Sequence, residues 1–190
     1  IYIDDCSSDN TYELVKKYIS DKKTDKINLY KQKKRGRQGL AKYVASHMCN
    51  DDEIIVIVDG DDWLYDNNVL DKLNKVYNDD VWVTYGSFVE YEDGKVRPTR
   101  YYINKPYSNM TISNNNFRND KWLSSHLRTY RASVYKSIPI QYFIDYNGDF
   151  FKTSNDCAEM YPVLELSGKR QKCIEDILYC YNIDNSNSHE

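Results

Sequence analysis

Three carboxylates crowd into four residues at Asp59-Gly60-Asp61-Asp62, directly after the apolar run from Glu53 to Val58. Side chains placed this way repel one another unless a cation or a set of donors neutralises them. Hard divalent cations such as Mg2+ and Mn2+ take oxygen ligands and are commonly held by one or two carboxylates, with substrate phosphates completing the shell. The tetrapeptide is therefore a candidate metal and diphosphate site, and Gly60 would allow a sharp turn or the close approach of a ligand. The bland alternative is an acidic turn that caps the next helix and faces water. The four residues alone would also suit a Walker-B-like or phosphatase-like site.

A second constellation, Asp4-Asp5-Cys6-Ser7-Ser8-Asp9-Asn10-Thr11, follows the short apolar start Ile1-Tyr2-Ile3. Its side chains could accept hydrogen bonds from a base or a ribose. They also suit a plain helix start, with Asp9 or Ser8 capping a helix from about Thr11.

The elements that position these groups can be read from periodicity. Ile1 to Ile3 reads as a strand, and Leu14, Val15, Tyr18 and Ile19 have the spacing of a helix with one buried face. Residues 27 to 30 read as a second strand. The basic loop Lys31 to Arg37 leads through Gly36 and Gly39 into a helix from Leu40 to about Met48. Glu53 to Val58 has the pattern of a central strand buried on both faces of a parallel sheet. Val69, Leu70, Leu73 and Val76 predict a helix, and residues 81 to 85 another strand. Gly86 to Lys121 reads as long loops around short strands. Asn155 or Asp156 would cap a helix reaching Leu166, with Pro162 forcing a later start or a kink. Ile174 to Tyr181 is a final strand, and 182–190 a frayed tail. The alternation predicts a doubly wound α/β sheet, where ligands bind beyond the carboxyl ends of strands. Both acidic clusters lie at such ends.

Composition narrows the classes. The 190 residues suit a single domain with its own core. The formal net charge of -3 provides no broad field for nucleic acid or an anionic membrane, and no apolar run approaches the ~20 residues of a membrane span. Lys31 to Arg37 is read as a solvated loop bordering a nucleotide, since it lacks the aromatic interleaving of a nucleic-acid surface. Five cysteines without CxxC spacing make neither a disulfide framework nor a zinc site, which favours a reducing compartment and the cytoplasmic side. The sequon Asn109-Met110-Thr111 carries little weight. A start without Met or a leader pattern is read as an incomplete N-terminus.

Together the two acidic segments resemble the inverting glycosyltransferases of family 2, which have the GT-A fold. The loop Asp4-Asp5-Cys6-Ser7-Ser8-Asp9-Asn10-Thr11 is similar to that family's Asp-Asp-x-Ser-x-Asp-x-Thr segment, and Asp59-Gly60-Asp61 to its DxD motif, extended by Asp62 and Trp63. The resemblance implies a nucleotide-diphospho-sugar transferase fold with a mainly parallel sheet flanked by helices, lacking its first strand in this chain. It divides one catalytic domain into a nucleotide-binding half, 1–85, and an acceptor half, 86–181. It implies that Asp5 contacts the base, Asp59 approaches ribose or metal, and Asp61 ligates the metal. Arg35 to Lys42 would help shape the nucleotide pocket. The implied donor set is Asp4, Asp5, Ser7, Arg37 and Asp59, and the metal set Asp59, Asp61 and Asp62, holding Mn2+ or Mg2+.

In this family the base is an Asp or Glu late in the domain, often at a helix start. Asp156 fits, with Glu159 one turn on as its competitor and plain helix capping as the alternative. His126 could line the acceptor or diphosphate side, but a lone His beside Leu127 is more often a packing residue. Arg128 could contact diphosphate or simply pair with an acid. Of Trp63, Trp82 and Trp122, only Trp122 is expected to touch an acceptor. The expected activity is metal-dependent, inverting transfer from a nucleoside-diphosphate sugar to a hydroxyl of a glycan, protein or lipid-linked acceptor. The alternatives are an inactive GT-A-like binding module and a nucleotidyl or phosphoryl transferase with the same acidic site. A P-loop is not present.

Overall fold

A computed structural model describes residues 1–152 and 154–184, with the side chains of 98–101 left aside. The tail expected over 182–190 starts later than predicted: Asn182 ends the last strand, the Ile183 amide donates to the Tyr91 carbonyl at 3.0 Å and Asp184 accepts from the Asp93 amide at 2.7 Å, while 185–190 lie outside the described residues. The chain divides into two compact units, one of Ile1–Asn50 with Pro139–Glu159 and one of Asp51–Ile138 with Met160–Glu190.

In the first unit, β1 (Tyr2–Asp4) and β2 (Leu29–Lys31) pair in parallel, Tyr2 opposite Leu29. Between them runs α1 (Thr11–Lys22). The Asp9 carboxylate accepts from the Thr11 amide at 2.9 Å, but the cap position itself is taken by Asn10, one residue later than predicted, whose side chain makes no capping bond. Lys23 closes the helix in the left-handed conformation, its amide donating to the Ser20 carbonyl at 3.1 Å. The predicted buried face of α1 differs from what is found: Leu14 is 65% and Tyr18 53% exposed. Next come α2 (Gln38–Met48) and, late in the chain, the first turn of α6 (Asn155–Ser167). These two helices approach closely. A Cβ added at Gly39 would lie 2.8 Å from Asn155 Oδ1, and Tyr43 packs against Phe143 and Phe150 with ring centroids 5.6 and 5.5 Å apart. A side chain at 39 would oblige the Asn155 amide to turn aside.

The second unit is built on six strands: β3 (Ile54–Ile57), β4 (Trp63–Leu64), β5 (Val83–Glu92), β6 (Lys95–Tyr102), β7 (Arg128–Arg131) and β8 (Gln171–Asn182). Their order is β3-β7-β5-β8-β4, with β6 also on β5. The β5–β8 pair is parallel, and the others in this sheet are antiparallel. The strand from Ile54 to Ile57 therefore does not hold the central, fully buried place that its apolar run suggested. It stands at one end of the order, antiparallel to β7, and every residue is half-buried. A β-branched run reports affinity for a pleated surface and carries no information about strand direction.

The segment expected to be loops instead contains a hairpin. β5 and β6 are joined at Asp93-Gly94, both with positive φ (51° and 74°), the conformation of a tight two-residue turn. Two short helices, α4 (Asn109–Ser113) and α5 (Ala132–Lys136), flank this region. Helix α3 (Val69–Tyr77) buries Val69, Leu73 and Tyr77. Val69 and Leu73 join Leu127, Leu178 and Tyr179 in a core cluster, each such side chain worth about 1.5–3 kcal/mol of burial. Helix α6 begins in the first unit and ends in the second, and Pro162 lies within it. The predicted later start is not seen: Ala158 N–H already donates to the Ser154 carbonyl at 3.1 Å. Among the described residues no helix is long and apolar enough to cross a membrane.

Candidate functional site

In the first unit, β1 delivers Asp4 and Asp5 to a loop that bends at Cys6, whose φ of 62° is unusual for a residue with a side chain. The two acids have different roles. Asp4 is 2% exposed, accepts from the Ser7 amide at 3.2 Å and faces Lys31 Nζ at 3.7 Å, so it and Ser7 shape the loop from within. The Asp4 Oδ2 atom is buried with no hydrogen-bond partner among the described residues. Asp5 is half-buried and takes three hydrogen bonds: Gln32 Nε2 at 2.9 Å and the Arg37 amide at 3.2 Å on Oδ1, and the Gly36 amide at 2.8 Å on Oδ2. An ionised carboxylate has about four acceptor positions, so one on Oδ2 is left. Asp5 thus pins the basic loop, while the Arg37 side chain is exposed.

Asp156 lies in the first turn of α6, after Asn155, and its Oδ1 accepts from the Cys157 amide at 2.9 Å. It is a first-turn residue rather than the residue that precedes the helix. Glu159, the competing base, is 2% exposed with Oε2 3.8 Å from Lys42 Nζ on α2. Of the two carboxylates, Asp156 is the more accessible.

In the second unit the turn after β3 closes with the Asp62 amide donating to the Asp59 carbonyl at 3.1 Å. Gly60 has an ordinary φ and open space where a Cβ would be, so the chain itself does not require glycine there. Arg128 of β7, 3% exposed, places Nη2 3.4 Å from Asp59 Oδ2. The acid partner foreseen for Arg128 is therefore Asp59. The Tyr179 hydroxyl accepts from the Asp59 amide at 3.0 Å. Asp62 Oδ1 accepts from the Asn182 amide at 2.8 Å, and its Oδ2 is buried with no hydrogen-bond partner among the described residues. Asp61 is half-buried. His126 stacks on Tyr179 (centroids 4.6 Å, planes 8° apart) and meets Phe88 edge-on, the packing role.

Burial pushes the Asp62 carboxyl up to about 6, with the Asp61 and Asp59 charges adding to the rise and the Asn182 amide and Tyr179 hydroxyl opposing it. Burial also raises the Tyr179 hydroxyl, reinforced by the charges of Asp59 and Asp62. A carboxyl with a raised folded pKa binds protons more tightly folded than unfolded. Its stabilising contribution is complete below the unfolded value of 3.8 and is lost as pH rises through about 6. Asp62→Asn should therefore melt higher than wild type near pH 7, by a margin that shrinks toward pH 4. Melting curves that keep a constant difference across that range would contradict the burial of this charge.

Tyr179 and the Asn182 amide had no motif to announce them. Only the pairing of β4 with β8, Trp63 opposite Cys180 and Leu64 opposite Tyr179, brings them to the acidic turn. Of the tryptophans, Trp82 lies under Arg170 (4.3 Å) and Trp63 against Tyr91. Trp122 meets Tyr161 edge-on at 5.3 Å and is half-buried. No disulfide joins any of the five cysteines, all of which lie among the described residues.

The fold is of the GT-A type. The model of the family described as "Glycosyl transferase family 2" matches residues 1–138, and the chain belongs to that family. Solved structures of S. aureus TarS share its fold. TarS 1-349 in complex with UDP aligns at 17% identity and TM-score 0.61, covering 95% of this chain and 50% of that one. TarS 1-349 with UDP-GlcNAc aligns at 18% and 0.62, covering 97% and 49%. A further TarS structure aligns at 17% and 0.62, covering 95% and 30%. The chain thus spans half or less of these proteins. No curated protein sequence matches it.

Proposed function

We propose that the protein transfers a sugar from a nucleoside-diphosphate donor, a UDP-sugar, to an acceptor hydroxyl with inversion at the anomeric carbon. The observation that carries this reading is the family match over residues 1–138, whose strand ends present both acidic clusters. UDP and UDP-GlcNAc in the structures of similar fold support the choice of donor.

In the first unit the remaining acceptor position on Asp5 would take an N–H of the base, with the loop at Gly36 and Arg37 held against it. The acidic turn of the second unit, taken by itself, is the candidate for binding a divalent cation and phosphate oxygens. Among the described residues no group of three or more His, Cys, Asp or Glu is arranged to enclose an ion. The donor set nevertheless fits Mn2+ or Mg2+ held by one or two carboxylates, because Asp62 Oδ2 is buried without a partner and Asp61 is half-buried beside it. Such a cation would offset diphosphate charge as the leaving group departs. Arg128 neutralises Asp59 and so limits repulsion between the turn and the phosphates. At the base, the acceptor oxygen bonds to the anomeric carbon as the bond to the nucleoside diphosphate breaks. Its proton passes to the Asp156 carboxylate, and UDP leaves with the electron pair.

Isothermal calorimetry with UDP and Mn2+ tests the donor half. Wild type should bind, and Asp5→Ala should weaken binding about tenfold or more, since it removes both the ligand contact and the anchor of the basic loop. An unchanged affinity would leave Asp5 as a loop residue alone.

A further inference from the structure

The first unit holds an ion pair, its acid buried and its lysine half-buried, that no step above uses. Glu159 is 2% exposed, its Oε1 has no hydrogen-bond partner among the described residues, and its one cationic neighbour, Lys42 Nζ, stands 3.8 Å from Oε2. That distance exceeds a hydrogen bond, so the contact offsets the loss of water around the carboxylate only in part. Apolar side chains of similar volume would suit a purely structural contact at least as well.

Its place in the unit suggests what the pair does. Glu159 is one turn beyond Asp156 on α6, and Lys42 is one turn beyond Gln38 on α2. The leading turns of the two helices already approach at Gly39 and Asn155, where an added methyl group would lie 2.8 Å from Asn155 Oδ1. The chain entering α2 is held by Asp5 through the Gly36 and Arg37 amides. One helix therefore contacts both the loop assigned to the nucleotide and the turn assigned to the base.

We propose that Lys42 and Glu159 form a positioning pair, fixing the register of α2 on α6 and thereby the place of Asp156 relative to the loop pinned by Asp5. Neither residue touches the reacting atoms. The inference rests on the functional reading above and adds to it the residues that hold the base in place. An opposite-charge pair is well suited to this, because a helix shifted by one residue would leave the Glu159 charge buried without its cation.

The test uses the full chain, with Glu159→Gln, Lys42→Met and the double variant. Each single change should lower kcat for transfer from UDP-GlcNAc about 10- to 100-fold, the scale of a small misplacement of reacting groups. The Kd for UDP should stay within about twofold, and the double variant should be no slower than either single one. Exchanging the charges, Lys42→Glu with Glu159→Lys, should restore part of kcat. Hydrogen exchange over 155–159 should quicken in both single variants. Wild-type kcat in Glu159→Gln, additive losses, or unchanged exchange would each overturn the proposal. So would an inactive Glu159→Gln beside an active Asp156→Asn, which would make Glu159 itself the base. If wild type neither binds UDP nor transfers sugar, the functional reading fails, and the exchange measurement still decides whether the pair fixes the helix.

Discussion

Asp156→Asn is expected to slow sugar transfer by about 10²–10⁴-fold, the usual contribution of a general base, while UDP affinity and melting temperature stay close to wild type. The geometry makes this substitution discriminating. Asp156 Oδ1 accepts from the Cys157 amide, and an asparagine oxygen can accept the same bond. What is lost is the capacity to take a proton, together with about 0.3–1 kcal/mol of favourable charge at the helix N-terminus. Single-turnover transfer and thermal melts on the same preparation separate the two. Near wild-type turnover would remove Asp156 from the reaction, whereas a large fall in melting temperature would assign it to stability.

Asp61→Ala is expected to bring transfer down to background, matching the effect of EDTA on wild type. Asp61 is half-buried in a turn, so its loss should change stability by no more than about 0.5 kcal/mol. Mn2+ should raise the melting temperature of wild type in the presence of UDP, and do so less for Asp61→Ala. A variant that transfers at the wild-type rate with chelator present would dismiss the acidic turn as a metal site.

How far the sequence could be read depends on the range of the interaction concerned. Features encoded within a few residues were legible: the start of α1 at Thr11, the helix over Val69 to Tyr77, the strand leading into the acidic turn, and the family to which the two acidic segments belong. The hairpin at Asp93-Gly94 carried an equally local signal, but it was obscured by the Pro, Asn and Tyr residues around it. Partners set by topology were not legible. Nothing near Asp59 foretells that its amide meets Tyr179, or that Asp62 receives Asn182, because β8 returns to β4 only after the remainder of the unit has been laid down. The burial of Glu159 was hidden for a related reason. Its helix has a weak amphipathic pattern, and the face it turns inward is decided by α2, far away in the chain.

The parallel pairing of β5 with β8 has a consequence for the order of folding. Val83 pairs with Gln171 and Tyr91 with Asn182, and the core residues Leu178 and Tyr179 come from the same late strand. On a ribosome, α3 and the β5–β6 hairpin emerge with local contacts they can form at once, but the sheet cannot close around them until β8 has left the exit tunnel. Pairings so distant in sequence pay their loop-closure entropy before any reward, which makes them slow. The nascent second unit therefore spends most of its synthesis with Val83, Val89 and Leu73 awaiting their cover, the stage at which chaperones engage exposed apolar surface.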